Sequence, residues 1–187
     1  IEDLGSGSGT FIGGKPVTFK MMSEDDQADP KVGGTVAQKF VDAKVAAVVG
    51  HLNSGVTIPA SVIYNKAGIP MISGSATNPD ITDRGLNNVF RTVGRDDHQG
   101  PAIAAYIAGE LKGKKVAIID DKTTYGEGIA NEVEKTLKAA KVTIVEAEEI
   151  VPLGAIDPDD VHLPGLFVQR IFVGTGHKNV IEQRTTR

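Results

Sequence analysis

Residues 48–79, which read VVGHLNSGVTIPASVIYNKAGIPMISGSATNP, decide the fold of this chain. An apolar run at residues 45–49 leads into the polar turn HLNSG, and a helical pattern over residues 58–66 follows. A second apolar run, residues 69–72, opens into the polar turn SGSAT. This order predicts two parallel strands joined by a helix, because parallel strands need a crossover connection.

Both polar turns directly follow a strand. The carboxyl ends of parallel strands meet at one edge of a sheet, which is where open α/β sheets bind ligands. The turns supply hydroxyl groups and backbone N–H groups, and no general base, metal ligand or charged nucleophile accompanies them. The pattern therefore favours binding of a small carboxylate over its chemical conversion.

The composition is typical of a folded globular domain rather than a disordered chain. Of 187 residues, 40% are apolar and 24% are charged, and the formal net charge is −4. Without a long basic run, this charge argues against a nucleic-acid partner or an anionic membrane surface. No apolar stretch approaches the length of a membrane span, so direct membrane insertion is not expected. The absence of cysteine excludes disulfides and thiol chemistry.

Strands and helices alternate along most of the chain. Asp29 and Pro30 are typical of a helix start, and Val36, Phe40 and Val41 repeat at the spacing that faces a sheet. Further predicted elements are strands at residues 17–21, 115–119 and 142–146, a short extended segment at 90–93, and helices at 101–111 and 127–140. This alternation predicts an α/β fold, in which helices flank a parallel sheet with right-handed crossovers.

The two ends of the chain differ from this core. Residues 1–10 are interpreted as a linker-like start, because they contain the run GSGSGT, which has no large side chain to pack. Within residues 151–187, three prolines exclude a long helix before residue 166, and one strand is predicted at residues 166–173. This end is therefore predicted to be an irregular arm rather than another strand–helix unit.

Five blocks of the sequence resemble the leucine/isoleucine/valine-binding proteins of bacterial ABC importers, a branch of the type I periplasmic binding proteins. In chain order they are SEDDQADP (23–30), VVGHLNSG with IPAS (48–61), GIPMISGSATNP (68–79), FRTVGRDDHQGPA (90–102) and DDKTTYGEG (120–128). The resemblance covers residues 11–145. It implies an incomplete two-lobed Venus-flytrap fold: residues 11–94 form a first lobe that lacks its first strand, and residues 95–147 begin the second lobe.

The same resemblance implies the function. Such a protein is a periplasmic component of an importer, captures a branched-chain or similar small aliphatic amino acid between its lobes, and delivers it to a membrane permease. The lobes would close about a hinge near residues 93–95. The resemblance implies neither an enzyme nor a cofactor.

It also implies which residues contact the ligand. Ser54 corresponds to the serine that hydrogen-bonds the ligand carboxylate. Ser75, Ala76 and Thr77 correspond to the positions that hold the ligand through backbone groups and a hydroxyl, and Tyr125 to the aromatic residue that closes over it from the second lobe. A helix N-cap, ordinary turn residues and a surface tyrosine are the alternatives. No counterpart is identified for the acidic residue that grips the amino group, so weak or absent binding is expected.

The end of the chain resembles a different family. EAEEIVPLGAIDPDDVHLPGLFVQRI, followed by IEQRT, is similar to the C-terminal end of the α subunit of 3-oxoacid CoA-transferases, across residues 144–187. The chain is therefore interpreted as chimeric, with residues 148–187 as a CoA-transferase-like arm. A fragment of such an enzyme is the alternative function, although that family's catalytic glutamate lies outside the matching segment. The apolar side chains of the arm and an open sheet edge predict self-association.

Other polar residues are assigned no chemistry. His51 and His98 lack a second ligand at metal-binding spacing and are interpreted as loop residues. The carboxylates of the pairs 25–26 and 96–97 are adjacent in sequence, so their side chains diverge. Solvated turns or contacts between the lobes are expected there.

Overall fold

The computed structural model describes residues 11–12, 14–110, 115–145, 168–174 and 178–184. Within these residues the elements are, in chain order, β1 (Phe11–Ile12), β2 (Lys15–Pro16), α1 (Pro30–Asp42), β3 (Val48–Val49), α2 (Ser54–Ala67), β4 (Met71–Ser73), α3 (Asp80–Asp83), β5 (Val89–Arg91), α4 (Asp96–Gly109), β6 (Lys115–Ile119), α5 (Thr124–Ala139), β7 (Thr143–Ile144), β8 (Val168–Gly174) and β9 (Lys178–Arg184). The α/β class with parallel strands and flanking helices is confirmed.

A three-stranded parallel sheet, called the first sheet here, carries the two polar turns. Its strand order is β3–β4–β5, so strands that follow one another along the chain also lie side by side. The core against this sheet includes Ala37 of α1 and Ala60 and Tyr64 of α2, all fully buried. Packing of the helices on one face of the sheet thus fixes where both turns emerge.

The two faces of the first sheet differ sharply in exposure. Val48, Met71 and Val89 occupy paired positions, and each is at most 5% exposed. The next row of paired positions carries Val49 (85% exposed), Ile72 (36%) and Phe90 (50%). One face is therefore a packed core, and the other presents apolar side chains to solvent.

Helix α1 begins as the sequence predicts. The Asp29 carboxylate accepts hydrogen bonds from the backbone N–H groups of Lys31 (2.7 Å) and Val32 (3.1 Å), and Pro30 is the first helical residue. Gly33 lets α1 approach α2 closely, because a Cβ atom at this position would overlap Cγ1 of Val56. Capping and close packing together determine the position of α1.

The predicted strand at residues 17–21 is wrong. These residues form no regular element, and an antiparallel hairpin of β1 and β2 precedes them, with Gly14 at φ +74° in its turn. A strand requires a hydrogen-bonded neighbour, and the first sheet begins only at β3. Phe19 and Met21 are accordingly 52% and 64% exposed.

Two helices begin earlier than predicted. Helix α2 starts at Ser54 and α4 starts at Asp96, and each contains a proline as its sixth residue, Pro59 and Pro101. The sequence-based starts treated these prolines as lying at the beginning of a helix. The structure places them one turn further in, where each removes one backbone donor from the helix.

A second sheet has the strand order β7–β6–β8–β9. Strands β6 and β7 are parallel, whereas β8 and β9 form an antiparallel hairpin that continues the sheet beside β6. The predicted strands at residues 115–119, 142–146 and 166–173 correspond to β6, to a shorter β7 and to β8. Strand β9 was not predicted, because KNVIEQR shows no regular apolar alternation.

Helices α4 and α5 pack together beside the second sheet. Their core includes Ala104 and Ile107 of α4, Val116 of β6, and Val133 and Leu137 of α5. The contact is close at Gly100, where a Cβ atom would lie 2.5 Å from Cβ of Glu132. Among the described residues, no helix is long and apolar enough to cross a membrane.

The predicted domain divisions at residues 94 and 147 remain predictions. The linker-like residues 1–10 lie outside the described residues, and the arm at 148–187 is described only at β8 and β9. The first and second sheets share no strand.

Candidate functional site

The structure brings the two polar turns together. Ser54 is the first residue of α2, is 1% exposed, and follows the turn after β3. Its Oγ accepts a hydrogen bond from the backbone N–H of Asn78 at 3.3 Å, although 24 residues separate the two in the sequence. Ser54 and Thr77, which precedes Asn78, are therefore neighbours at the carboxyl end of the first sheet.

Ser73 holds the second turn to the first. Its hydroxyl donates to the backbone carbonyl of His51 at 2.8 Å. Its oxygen accepts from the N–H groups of Ser75 (3.3 Å) and Ala76 (3.0 Å). Ser75 is half-buried and Ala76 is buried. The backbone of the predicted ligand-binding turn is thus fixed from within the sheet, and its Ser75 and Ala76 amides already have acceptors.

Thr77 lies against a carboxylate that the sequence did not single out. The backbone carbonyl of Thr77 accepts from the N–H of Asp96 at 3.0 Å. Asp96 is fully buried, and its carboxylate lies beside the Thr77 hydroxyl; neither group has a well-formed hydrogen bond among the described residues. Burial raises the pKa of Asp96, while the nearby Thr77 hydroxyl and the Arg91 guanidinium act in the opposite direction.

Asp96 was expected to lie in a solvated turn or a contact between the lobes. The solvated alternative is wrong for this residue, because α4 begins at Asp96 and buries it. Its neighbour Asp97 does behave as a surface residue: it forms an ion pair with Arg95 at 2.7 Å, and this guanidinium lowers the pKa of the Asp97 carboxyl. The sequence showed only that Asp96 and Asp97 are adjacent. Adjacency does not show which of the two carboxylates is buried.

Tyr125 approaches the same carboxylate from the first turn of α5. The side chain is half-buried, and burial raises the pKa of its hydroxyl, with the negative charges of Asp96 and Asp121 adding to the effect. Gly128 brings this helix close, because a Cβ atom there would lie 3.2 Å from an oxygen of Asp96 and 3.1 Å from Nδ2 of Asn78. Tyr125 therefore borders the group formed by Thr77 and Asp96.

His51 lies in the loop between β3 and α2, as expected, but it is not a surface residue there. His51 is buried, and both of its ring nitrogens have partners: Asp26 Oδ2 lies 2.7 Å from Nδ1, and the Tyr64 hydroxyl lies 3.0 Å from Nε2. His98 is exposed, but its interpretation as a loop residue is wrong, because α4 begins two residues earlier at Asp96. Within the described residues, no group of three histidines, aspartates or glutamates is placed to hold a metal ion.

Arg91 hydrogen-bonds the backbone of the segment that follows Thr77. Its guanidinium donates to the backbone carbonyls of Asn78 (2.8 Å) and Pro79 (3.3 Å) and to the Thr82 hydroxyl (2.5 Å). Burial lowers the pKa of Arg91. These bonds fix the segment that follows Thr77, and they occupy the guanidinium whose charge acts on Asp96.

The described groups suit binding rather than covalent chemistry. The Ser54 oxygen accepts from Asn78, which leaves its hydroxyl proton available to a ligand oxygen. The unpartnered Asp96 carboxylate suits a cation, because a buried charge is stable only when it is paired. A site with a hydroxyl donor at one point and a buried carboxylate at another matches a small zwitterion.

Comparison with curated proteins identifies relatives over about two-thirds of the chain. Over 128 residues it is 50% identical to Leu/Ile/Val-binding protein homolog 1 of Brucella abortus, and over 125 residues it is 47% identical to the Leu/Ile/Val-binding protein of Citrobacter freundii. Each match covers 67% of this chain and 34% of the relative. The chain thus spans about a third of the length of these relatives.

Solved structures of substrate-binding proteins also match part of the chain. An ABC transporter substrate-binding protein from Desulfitobacterium hafniense in complex with Leu has a TM-score of 0.60 and 37% identity, over 72% of this chain and 40% of that one. The branched-chain amino acid transporter substrate-binding protein LivJ of Streptococcus pneumoniae, in complex with isoleucine, has a TM-score of 0.61 and 29% identity, over 77% of this chain and 42% of that one. Partial coverage of both confirms that the fold is incomplete here.

The model of the protein family described as "Periplasmic binding protein" matches residues 8–164. This match covers most of the chain and extends into the segment after β7. No comparison bears on the predicted resemblance to CoA-transferases, which stays a prediction. Taken with the parallel first sheet and its two polar turns, the match shows that this chain belongs to the periplasmic binding protein family.

Proposed function

We propose that this chain is the ligand-capturing part of a periplasmic solute-binding protein of an ABC importer, and that its ligand is a small aliphatic L-amino acid. One observation carries the proposal: the buried, unpartnered Asp96 carboxylate lies against Thr77, which neighbours Ser54. An amino acid presents the complementary charges, a carboxylate for the hydroxyls and an ammonium group for Asp96.

Each residue has a distinct task. The Ser54 hydroxyl and the Thr77 hydroxyl donate to the ligand carboxylate. Asp96 accepts from the ammonium group, and Tyr125 covers the ligand from α5. Ser75 and Ala76 shape the turn that carries Thr77, because their N–H groups donate to the Ser73 oxygen.

This assignment revises the expected affinity. The sequence offered no partner for the ammonium group, so weak or absent binding was expected. Because Asp96 now supplies a partner, L-leucine is expected to bind with a dissociation constant below about 1 mM. Asn53 departs from the small residue that some members of the family carry before the ligand serine, so the preference among leucine, isoleucine and valine is not assigned.

The wider setting follows from the family and is part of the proposal. The whole protein would work in the periplasm and deliver its ligand to a membrane permease, with no enzymatic activity, cofactor or nucleic-acid partner. Closure about residues 93–95 would bring the second lobe over the ligand. There Arg95 joins Asp83 (2.5 Å) on α3 to Asp97 on α4, an ion-paired connection at the hinge. The CoA-transferase fragment remains the alternative, without an observation in the described residues that favours it.

Calorimetry on the full chain tests the proposal with three ligands that differ only in their charged ends. L-Leucine should bind, whereas 4-methylpentanoate, which lacks the ammonium group, and 3-methylbutylamine, which lacks the carboxylate, should bind at least about tenfold more weakly. Equal binding of all three compounds, or no binding of leucine at 10 mM, about ten times the expected limit, would contradict it.

A pair of serine variants on α2 locates the carboxylate end. Ser54→Ala should weaken leucine binding by about tenfold, since it removes a hydroxyl donor. Ser61→Ala is the matched control: Ser61 is equally buried, but its hydroxyl donates to the Ile58 carbonyl and accepts from Arg84. The control should leave the affinity unchanged.

A further inference from the structure

A buried chain of hydrogen bonds runs from the surface loop before α1 to the turn after β4. Asp26 Oδ2 bonds His51 Nδ1 at 2.7 Å, and Tyr64 Oη bonds His51 Nε2 at 3.0 Å. His51 is 7% exposed and Tyr64 is completely buried. These three residues are called the relay here.

The relay fixes the histidine ring in one orientation. Asp26 accepts from the Nδ1–H group, which leaves Nε2 to accept from the Tyr64 hydroxyl; this proton assignment follows from the partners. The rings of His51 and Tyr64 also stack, with centroids 5.8 Å apart. Asp26 is itself anchored, since its other carboxylate oxygen accepts from the Ala28 N–H at 3.0 Å.

The backbone of His51 continues the connection. Its carbonyl accepts from the Ser73 hydroxyl at 2.8 Å and from the Thr57 hydroxyl at 3.3 Å. The Ser73 oxygen in turn accepts from the N–H groups of Ser75 and Ala76. The carbonyl of His51 is therefore the point at which the strand β3, the helix α2 and the turn after β4 are tied together.

We infer that the relay positions the turn at residues 75–77 for ligand binding. A histidine ring held at both nitrogens restricts the backbone of residue 51, and a restricted carbonyl gives the Ser73 hydroxyl a fixed acceptor. A fixed Ser73 oxygen then orders the turn that carries Thr77. None of the three relay residues touches the ligand, so all three are positioning residues.

The inference rests on the proposed function only for the identity of the ligand. Its structural content, an ordered turn at residues 75–77, is measurable without any ligand. Native-state hydrogen exchange of the Ser75 and Ala76 amides reports this order directly, because local opening of the turn exposes them to solvent.

Tyr64→Phe is the main test, since it removes a single buried oxygen. Exchange at the Ser75 and Ala76 amides should accelerate by about tenfold, which is the effect of losing one buried hydrogen bond. The 15N resonance of His51 Nε2 should shift, and leucine should bind about tenfold more weakly. Tyr106→Phe is the matched control, since Tyr106 is 54% exposed on α4, and it should change none of these quantities.

Two further variants separate positioning from general stabilisation. Asp26→Ala should reproduce the effect of Tyr64→Phe, whereas Asp26→Asn should restore slow exchange, because a side-chain amide can still hydrogen-bond the ring. Ile81→Val shortens a fully buried side chain of the same core and removes no hydrogen bond of the relay. It should leave local exchange at the two amides unchanged.

The outcomes are distinguishable. Unchanged exchange at Ser75 and Ala76 in Tyr64→Phe would overturn the inference, and so would an equal acceleration in Ile81→Val. Should Asp26→Ala fail to fold, Tyr64→Phe alone decides. Accelerated exchange in a chain that binds no leucine would refute the proposed function and support the positioning role. If Tyr64→Phe leaves both leucine binding and amide exchange unchanged, the proposed function is supported and the positioning role is refuted.

Discussion

Two aspartates near the candidate site are embedded in opposite ways. Asp26 lies at the end of a buried hydrogen-bond chain and has a partner for each carboxylate oxygen. Asp96 is more deeply buried, yet neither oxygen has a partner in the described structure. A buried carboxylate is tolerated without partners only at a cost in stability. The difference indicates that the surroundings of Asp26 serve the fold, whereas those of Asp96 are built for a group that arrives from outside.

The largest effect is expected for ligand binding by Asp96→Ala. Removing the partner of a buried ammonium group should cost about 2 kcal/mol or more, roughly 30-fold in the leucine dissociation constant. Calorimetry measures this loss, with Asp42→Ala as the control, because Asp42 is an exposed carboxylate at the end of α1 that hydrogen-bonds Gln38. A loss of less than threefold in Asp96→Ala would remove the distinction between the two aspartates.

The next effect concerns stability without ligand. Asp96→Asn should unfold with a free energy about 1 to 3 kcal/mol higher than the wild type at pH 7, because a buried unpaired charge is removed. The pKa of Asp96 is raised above 3.8, so the folded state holds more protons than the unfolded state above that pH. The contribution of Asp96 to stability therefore falls as pH rises above about 4 and through its folded pKa.

Urea unfolding at pH values from 4 to 7 tests this dependence. The advantage of Asp96→Asn should be small at pH 4 and should grow with pH. An advantage that is constant over this range, or a variant that is less stable at pH 7, would show that Asp96 does not titrate as a buried unpaired group.

A smaller effect on stability is expected for a substitution in the relay, which contains Asp26. Tyr64→Phe should lower the free energy of unfolding by about 1 kcal/mol, the net value of one buried hydrogen bond. Burial raises the pKa of Tyr64 to about 12, so its contribution is full below pH 10 and is lost as pH rises towards 12. Unfolding measured at pH 8 and pH 11 should therefore show a smaller difference between wild type and variant at pH 11, with Tyr106→Phe as the unaffected control.

The smallest effect is expected for Asp26→Asn, the counterpart of Asp96→Asn. An amide at position 26 can donate to Nδ1 while the opposite tautomer of His51 donates from Nε2 to Tyr64. The free energy of unfolding should fall by less than about 1 kcal/mol. The same substitution thus stabilises at position 96 and slightly destabilises at position 26. Stabilisation at both positions in urea unfolding would refute the comparison.

Local chemistry explains what the sequence could predict. Asp29 caps α1 through residues two and three positions away, so its role is visible in a short window. The proximity of Ser54 and Thr77 follows from topology, since two consecutive parallel strands place their ends together. Both features require no knowledge of distant contacts.

Features that depend on distant packing were missed. The partner of His51 lies 25 residues earlier in the chain, and a spacing rule for metal ligands could not find it. Burial of Asp96 depends on where α4 begins, and the proline at its sixth position masked that start. Residues 17–21 show the converse error: their alternation is typical of a strand, but no neighbouring strand is present in the described structure to pair with them.

The exposed row on the first sheet has a thermodynamic consequence. Val49 and Phe90 are at least half exposed in the folded chain and Ile72 is 36% exposed, so unfolding adds less apolar surface here than at a covered sheet face. The heat capacity of unfolding arises mainly from newly hydrated apolar surface, at about 12–15 cal/mol/K per residue for complete domains. This chain should fall below that range, and its stability should vary less steeply with temperature than that of a protein whose sheet is covered on both faces.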